Sequence, residues 1–214
     1  MQQGLSGENE MALTKQSLES FVDAVASDAP APGGGSVAAL SAALGASLLC
    51  MAIRISAKKQ PDDALKALLP QLEKEKDRLV QLVDEDAAAF NQVMAAFALP
   101  KNTEDEKNKR AAAIQTAFQH AASVPLETMQ CALRVLEAGQ TVAQLSSPNV
   151  ASDVGTGTQM AYAGLQGAGY NVKINLAAIK DDDFKSDASG QAGLLFGRAQ
   201  ASISVSLDAV KGKR

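Results

Sequence analysis

Residues 28–56 read DAPAPGGGSVAALSAALGASLLCMAIRIS. Beyond the glycines the stretch carries no charge as far as Ile53, and Ser36 stands where an N-cap belongs. It therefore predicts a helix from Ser36 to about Ser56, whose alanines allow other helices to pack closely. The triplet Gly33, Gly34 and Gly35 weakens any regular element and is kept where the backbone turns sharply or something approaches closely. Spacing alone leaves two readings open. One is a plain tight connection between packed helices. The other is a glycine-rich turn at a helix N-terminus, whose free N–H groups hold a carboxylate or a ligand carbonyl. A nucleotide-binding loop is excluded, because it needs a strand before it and Gly-Lys-Ser/Thr after it, and here Ser-Val-Ala follows.

Outward from this stretch the apolar residues keep helical spacing, with Pro, Gly or Asn between segments. Helices are predicted over Ser17–Ala26, Pro70–Ala98, Glu104–Gly139 with a break or kink at Pro125, Val150–Gly169 and Asp182–Lys211. One segment departs from this period. In NVKINL, Asn171, Lys173 and Asn175 alternate with Val172, Ile174 and Leu176, which predicts an extended connector with all three polar residues on one side. The fold class is thus all-α, a multi-helix bundle with one short extended connector. Residues 1–14 are expected to form a disordered tail, and residues 15–214 a single helical domain.

Composition limits function. With 46% apolar residues among 214, the chain can bury a real core. Twenty Lys and Arg against 24 Asp and Glu, with no basic tail, speak against nucleic acid as a partner. The uncharged run Val37–Ile53 is only 17 residues long and reads as a buried helix rather than a membrane span. Cys50 and Cys131 sit singly in helical patterns, which suggests neither a disulfide framework nor a metal clip and fits a reducing cytoplasm. His120 is the single histidine, so a zinc site or a Ser-His-Asp triad is poorly supported.

Asp86 is the most informative residue. Leu79, Val83, Phe90, Val93 and Phe97 form an apolar stripe at helical spacing, and Asp86 occupies the missing position. A carboxylate facing a core must be paired, hydrogen-bonded or neutralised. Two readings stay open, a structural aspartate that caps a neighbouring helix or pairs with lysine, and a perturbed active-site carboxylate. Asp84 and Glu85, off the stripe, are expected to be solvated. Asp153 is expected as an N-cap. Lys58 and Lys59 end the glycine-loop helix, where cations complement the dipole.

At these same places the chain resembles the cyclodeaminase/cyclohydrolase family. The resemblance rests on SLESFVDAVASDAPAPGGGSVAALSAALGASL, LVDEDAAAFNQVMAAFALPKNTEDEK, AASVPL and SDVGTGTQMAYAGLQGAGYNVKINL, and it covers about residues 16–185. It implies an all-helical homodimer acting on folate-bound one-carbon units, with no metal or cofactor. The family's catalytic aspartate maps onto Asp86. Gly33, Gly34, Gly35, Ser36, Lys58, Lys59, Asn149, Ser152, Asp153, Asn171 and Asn175 map onto substrate-binding positions. Lysines or the N–H groups of Gly34 to Ser36 suit glutamyl carboxylates, including those of a polyglutamate tail, while the asparagines and Asp153 suit a pterin edge. Two departures stand out: Ala88 replaces a usual glutamate, and Ser56-Ala57 replaces a Thr-x-Gly. The resemblance leaves two reactions open, hydrolysis of 5,10-methenyltetrahydrofolate and cyclodeamination of 5-formiminotetrahydrofolate. A chain of this length, without a transferase domain, leans to the first. A helical binding module that has lost catalysis is the reading from another class.

Overall fold

The computed structural model describes residues 12–59 and 61–213; of the tail expected over residues 1–14, residues 1–11 lie outside them. A 3-10 turn at Leu13–Lys15 precedes α1 (Leu18–Ala26), α2 (Gly34–Lys59), α3 (Asp63–Ala98) and α4 (Glu104–Leu145). A second 3-10 turn at Pro148–Val150 leads into α5 (Ala151–Leu176) and α6 (Asp182–Lys211). Among the described residues there is no strand, so the all-α class stands.

The extended connector does not. Residues 171–176 are the last turns of α5. Val172 is buried and Leu176 packs against the core four residues on, while Asn171 and Asn175 form a second pair at the same spacing on an adjoining face. Two interleaved four-residue repeats look like a two-residue period when read along a short segment. Lys173 is therefore not on the side of the asparagines.

Boundaries shift for local reasons. Helix α2 begins at Gly34, so Ser36 lies inside it and is not its cap. Helix α3 begins at Asp63, where the Asp62 carboxylate accepts from Leu65 N at 3.0 Å, and it runs through Pro70. Helix α4 opens on a capping box: Thr103 Oγ1 accepts from Glu106 N at 3.2 Å, and the Glu106 carboxylate accepts from Thr103 N at 2.9 Å. It then continues unbroken through Pro125, to Leu145. Asp153 sits in the first turn of α5 rather than at its cap. Residues 12–14, expected as tail, are tied down, because Thr14 Oγ1 donates to Asp84 at 2.7 Å. Asp84 is thus engaged rather than solvated. Glu85 likewise accepts from Arg78 at 2.5 Å, and Arg78 also donates to Glu127 at 2.6 Å.

Helices α2, α3, α4 and α5 run up, down, up and down, each packed on the next, and α5 closes back on α2. The α2–α5 crossing explains the small residues. A Cβ on Gly45 would lie 2.6 Å from Gly157 O, and one on Gly164 would lie 2.6 Å from Ala38 O, so the two backbones touch where no side chain fits. Helix α6 lies outside α4 and α5, parallel to α4, with Arg198 paired to Glu137 at 2.6 Å. Leu49, Ile53, Leu79, Leu82, Met129 and Leu165 fill the interior. Helix α2 is long and apolar enough to cross a membrane, but most of it is buried inside this bundle.

The helices are unequal in length, and that creates the site. Gly35 of α2 lies against Asp86, and the twelve residues from there to Ala98 carry α3 about 18 Å past the start of α2. With the first turns of α4 they form an overhanging hairpin. Phe90, Met94 and Phe97 are consequently 36%, 49% and 44% exposed rather than core.

Candidate active site

Where α2 begins, α5 ends and the hairpin continues, a cleft of about 490 Å³ opens. Its lining includes Gly33 to Gly35, Asp86, Phe90, Phe118, Asn171 and Asn175. The sequence-predicted glycine loop, aspartate and late asparagines therefore converge, although they come from three helices.

Asp86 occupies the place that a side chain on residue 35 would take, since a Cβ there would be 2.0 Å from Oδ1. Ser36 Oγ donates to Asp86 Oδ2 at 3.2 Å and to Val83 O at 2.9 Å, and the Ser36 backbone N–H donates to the carboxylate as well. The aspartate thus caps α2 from the neighbouring helix while lining the cleft, which joins the two readings left open by the sequence. Burial pushes its pKa above the ordinary 3.8, and the hydroxyl and backbone hydrogen bonds from Ser36 offset part of that rise. Among the described residues no lysine or arginine pairs with it. The result is a half-buried carboxylate with raised proton affinity, held still by Ser36 and open to the cleft.

The three glycines separate in role. A Cβ on Gly33 meets nothing within 4 Å, and one on Gly34 would only touch Asn171 Nδ2 at 3.4 Å. Only Gly35 is required by close approach.

The asparagines present acceptors. Asn175 Nδ2 donates to Ala121 O at 2.7 Å and Asn171 Nδ2 donates to Gly167 O at 2.9 Å. A carbonyl can only accept, so each amide is turned with its nitrogen to the protein, leaving Oδ1 as the uncommitted end. With Asp86 they make a cleft rich in acceptors, suited to a cation flanked by N–H groups. Phe90 and Phe118 supply aromatic surface, and Phe118 is backed edge-on by Phe97, with centroids 6.0 Å apart.

The other predicted residues do not join this cleft. Lys58 and Lys59 end α2, 24 residues from Gly34, which is about 36 Å along the helix. Asn149, Ser152 and Asp153 cluster at that far end, where Ser147 N donates to Ser56 Oγ at 2.8 Å. Within one chain these five residues lie too far from Asp86 to line its cleft. Ala88 lines a neighbouring groove beneath residues 12–32, so a glutamate there would not face this cleft. Phe118 and Gln115 had no sequence signal of their own. Gln115 bridges the turn after α5, its Nε2 donating to Ala178 O at 3.1 Å and its Oε1 accepting from Lys180 N at 2.7 Å.

The thiols stay out of this chemistry. Cys50 and Cys131 are buried, and burial pushes the Cys131 thiol up to about 12. His120 is exposed on the overhanging hairpin, and among the described residues no three His, Cys, Asp or Glu side chains gather as a metal set.

An acidic cleft at the stepped end of an antiparallel helical bundle, built by a glycine-started helix, defines the class to which known proteins can be compared. Residues 17–193 match the model of the formiminotransferase-cyclodeaminase family, and the chain belongs to that family. It is 36% identical over 202 residues to methenyltetrahydrofolate cyclohydrolase of Methylorubrum extorquens, covering 92% of this chain and 97% of that protein. It is 33% identical over 209 residues to formimidoyltransferase-cyclodeaminase of Rattus norvegicus, covering 96% of this chain but 39% of that longer protein. Its fold superposes on the crystal structure of formiminotetrahydrofolate cyclodeaminase from Thermotoga maritima with a TM-score of 0.82 at 26% identity, over 92% of this chain and 97% of that one.

Proposed function

We propose that the protein is an enzyme of tetrahydrofolate one-carbon metabolism that hydrolyses 5,10-methenyltetrahydrofolate to 10-formyltetrahydrofolate. The observation that carries this reading is the unpaired, partly buried Asp86 carboxylate in a cleft of acceptors. The substrate carries an amidinium cation spread over N5, the bridge carbon and N10, which the carboxylate complements in charge, while the asparagine oxygens suit the N–H groups of the adjoining pterin ring. The Methylorubrum cyclohydrolase, matched over 97% of its length, supports hydrolysis over the alternative, cyclodeamination of 5-formiminotetrahydrofolate with loss of ammonia.

The chemistry needs one movable proton at the bridge carbon. Water adds to the methenyl carbon while Asp86 takes one of its protons, giving a neutral tetrahedral adduct. Asp86 then returns that proton to N5 as the C–N5 bond breaks, and the remaining hydroxyl proton leaves to solvent as the N10-formyl group forms. The net change is one water consumed and one proton released. Asn171 and Asn175 hold N–H groups of the pterin, and Phe90 and Phe118 flank its rings or the benzoyl ring. The chain's own groups suffice for these steps, and the proposal includes no metal or cofactor.

The raised pKa of Asp86 makes this testable. The acceptor must be ionised, so kcat/KM falls as pH drops through a limb lying above the ordinary aspartate value of 3.8. A pH profile that stays flat down to that value, or breaks below it, contradicts the role.

A homodimer in the cytoplasm completes the proposal. It is supported by the uncovered apolar face of α1, where Leu18 is 75% and Val22 54% exposed, and by the exposed Val37 and Leu44 on α2. Lys58, Lys59, Asn149, Ser152 and Asp153 would join an Asp86 cleft only from a second copy, and from there could also hold a polyglutamate tail. Light scattering at micromolar concentration is expected to give twice the chain mass; a monomer contradicts it.

A further inference from the structure

We infer that Pro125 is a positioning residue for the cleft, acting through Ala121 O on Asn175. In an unbroken helix the carbonyl of residue 121 accepts from the N–H of residue 125. Proline has no N–H, so within α4 the Ala121 carbonyl is left without its helical donor. Asn175 Nδ2 occupies that acceptor at 2.7 Å, across from α5. Ala121 and Asn175 both line the cleft that holds Asp86. The proline thus does more than interrupt a ladder. It converts a backbone carbonyl into a fixed acceptor, and that acceptor decides which way the Asn175 amide faces. Its nitrogen is drawn to α4 and its oxygen is left for a ligand N–H.

A purely structural proline would not be expected here. In a helix interior it is the least favourable residue, and Pro125 is buried in the bundle. Pro70 of α3 shows the contrast: it is exposed, and no side chain of the cleft depends on the carbonyl it frees. On the other side of Asn175, Gln115 bonds both Ala178 and Lys180, so the end of α5 is pinned and the amide's rotation is the remaining freedom.

The inference rests on the functional reading above, and its test separates the two. The variants are Pro125→Ala, Asn175→Ala and their combination, assayed with 5,10-methenyltetrahydrofolate. In Pro125→Ala the restored N–H competes for Ala121 O. The expected fall in kcat/KM is roughly threefold to tenfold, the worth of one oriented hydrogen bond. Thermal stability should hold or rise, because the helix propensity gained outweighs the two buried methylenes lost. The double variant should be no slower than Asn175→Ala alone, since both changes remove the same interaction. Unchanged kcat/KM in folded Pro125→Ala, or losses that multiply in the double variant, overturns the proposal. A second readout does not need turnover. In protein labelled with 15N-asparagine, the Asn175 side-chain amide should keep one slowly exchanging proton in the wild type and lose it in Pro125→Ala. Retention of that proton in the variant overturns the positioning role whatever the activity, whereas a wild type that turns over no folate defeats only the functional reading.

Discussion

Asp86→Asn is expected to lower kcat for 5,10-methenyltetrahydrofolate by about 100- to 10,000-fold, the usual worth of a well-placed acid-base group, while the fold survives. The amide keeps the shape of the carboxylate and an oxygen for the Ser36 hydroxyl and N–H, but it cannot take a proton from water. Stability should move the other way from activity. Asp86 has a raised pKa, so the folded chain binds its proton more tightly than the unfolded chain. The stability linked to that proton is complete below the ordinary value of 3.8 and is lost as pH rises through the raised one. At neutral pH the ionised carboxylate therefore lowers stability, and Asn removes that charge. A melting temperature equal to or above wild type, with activity gone, is the expected pair of results. A folded variant with near-wild-type rates would remove Asp86 from the mechanism, and a melted one would make the aspartate a structural cap alone.

The second large effect is expected at Gly35. A methyl group there would sit 2.0 Å from Asp86 Oδ1 and 2.6 Å from Oδ2, far inside van der Waals contact. Either the carboxylate swings out of the cleft or the start of α2 moves, and in both cases the Ser36 bonds are lost. Misplacement of a catalytic group by about 1 Å can cost on the order of 100-fold in rate, and Gly35→Ala should fall at least that far. Gly33→Ala is the control, because its Cβ enters open space and the activity should stay near wild type. Equal loss in both variants, measured on folded protein, would point to a general need for flexibility in the loop and against the specific Gly35–Asp86 contact.

The contrast within one triplet shows what could be read from the sequence. Three adjacent glycines announce that the backbone comes close to something, but only the partner helix reveals that the partner is Asp86 and that one glycine meets it. Asp86 itself was legible, because a carboxylate in an apolar stripe is improbable without a reason. The stripe was less reliable at its far end. Leu79, Val83 and Val93 are buried, while Phe90 and Phe97 are half-exposed, since burial depends on how far the neighbouring helices extend. Spacing along one helix says nothing about that.

Other misreadings have similar causes. Lys58 and Lys59 end the same helix that the glycines start, yet at about 1.5 Å per residue a helix carries its two ends far apart. Asn171 and Asn175 were found through an alternation that the helix does not possess. At Pro125 the sequence predicts a break or kink, whereas the packed bundle keeps α4 continuous across it and Asn175 satisfies the carbonyl that it frees. In each case the residue type carried the information and the local period did not. Tertiary packing decided where each side chain went.

One spectrophotometric comparison decides which reaction the cleft catalyses and whether Asp86 carries it. Purified protein is given 5,10-methenyltetrahydrofolate or 5-formiminotetrahydrofolate in parallel, with Asp86→Asn alongside. The methenyl compound absorbs in the near ultraviolet, so hydrolysis lowers the signal and cyclodeamination raises it. An enzyme-dependent fall from the methenyl compound is expected, faster than any rise from the formimino compound and absent in Asp86→Asn. A rise from the formimino compound with ammonia release, and no fall from the methenyl compound above background, would contradict it and assign the cleft to cyclodeamination.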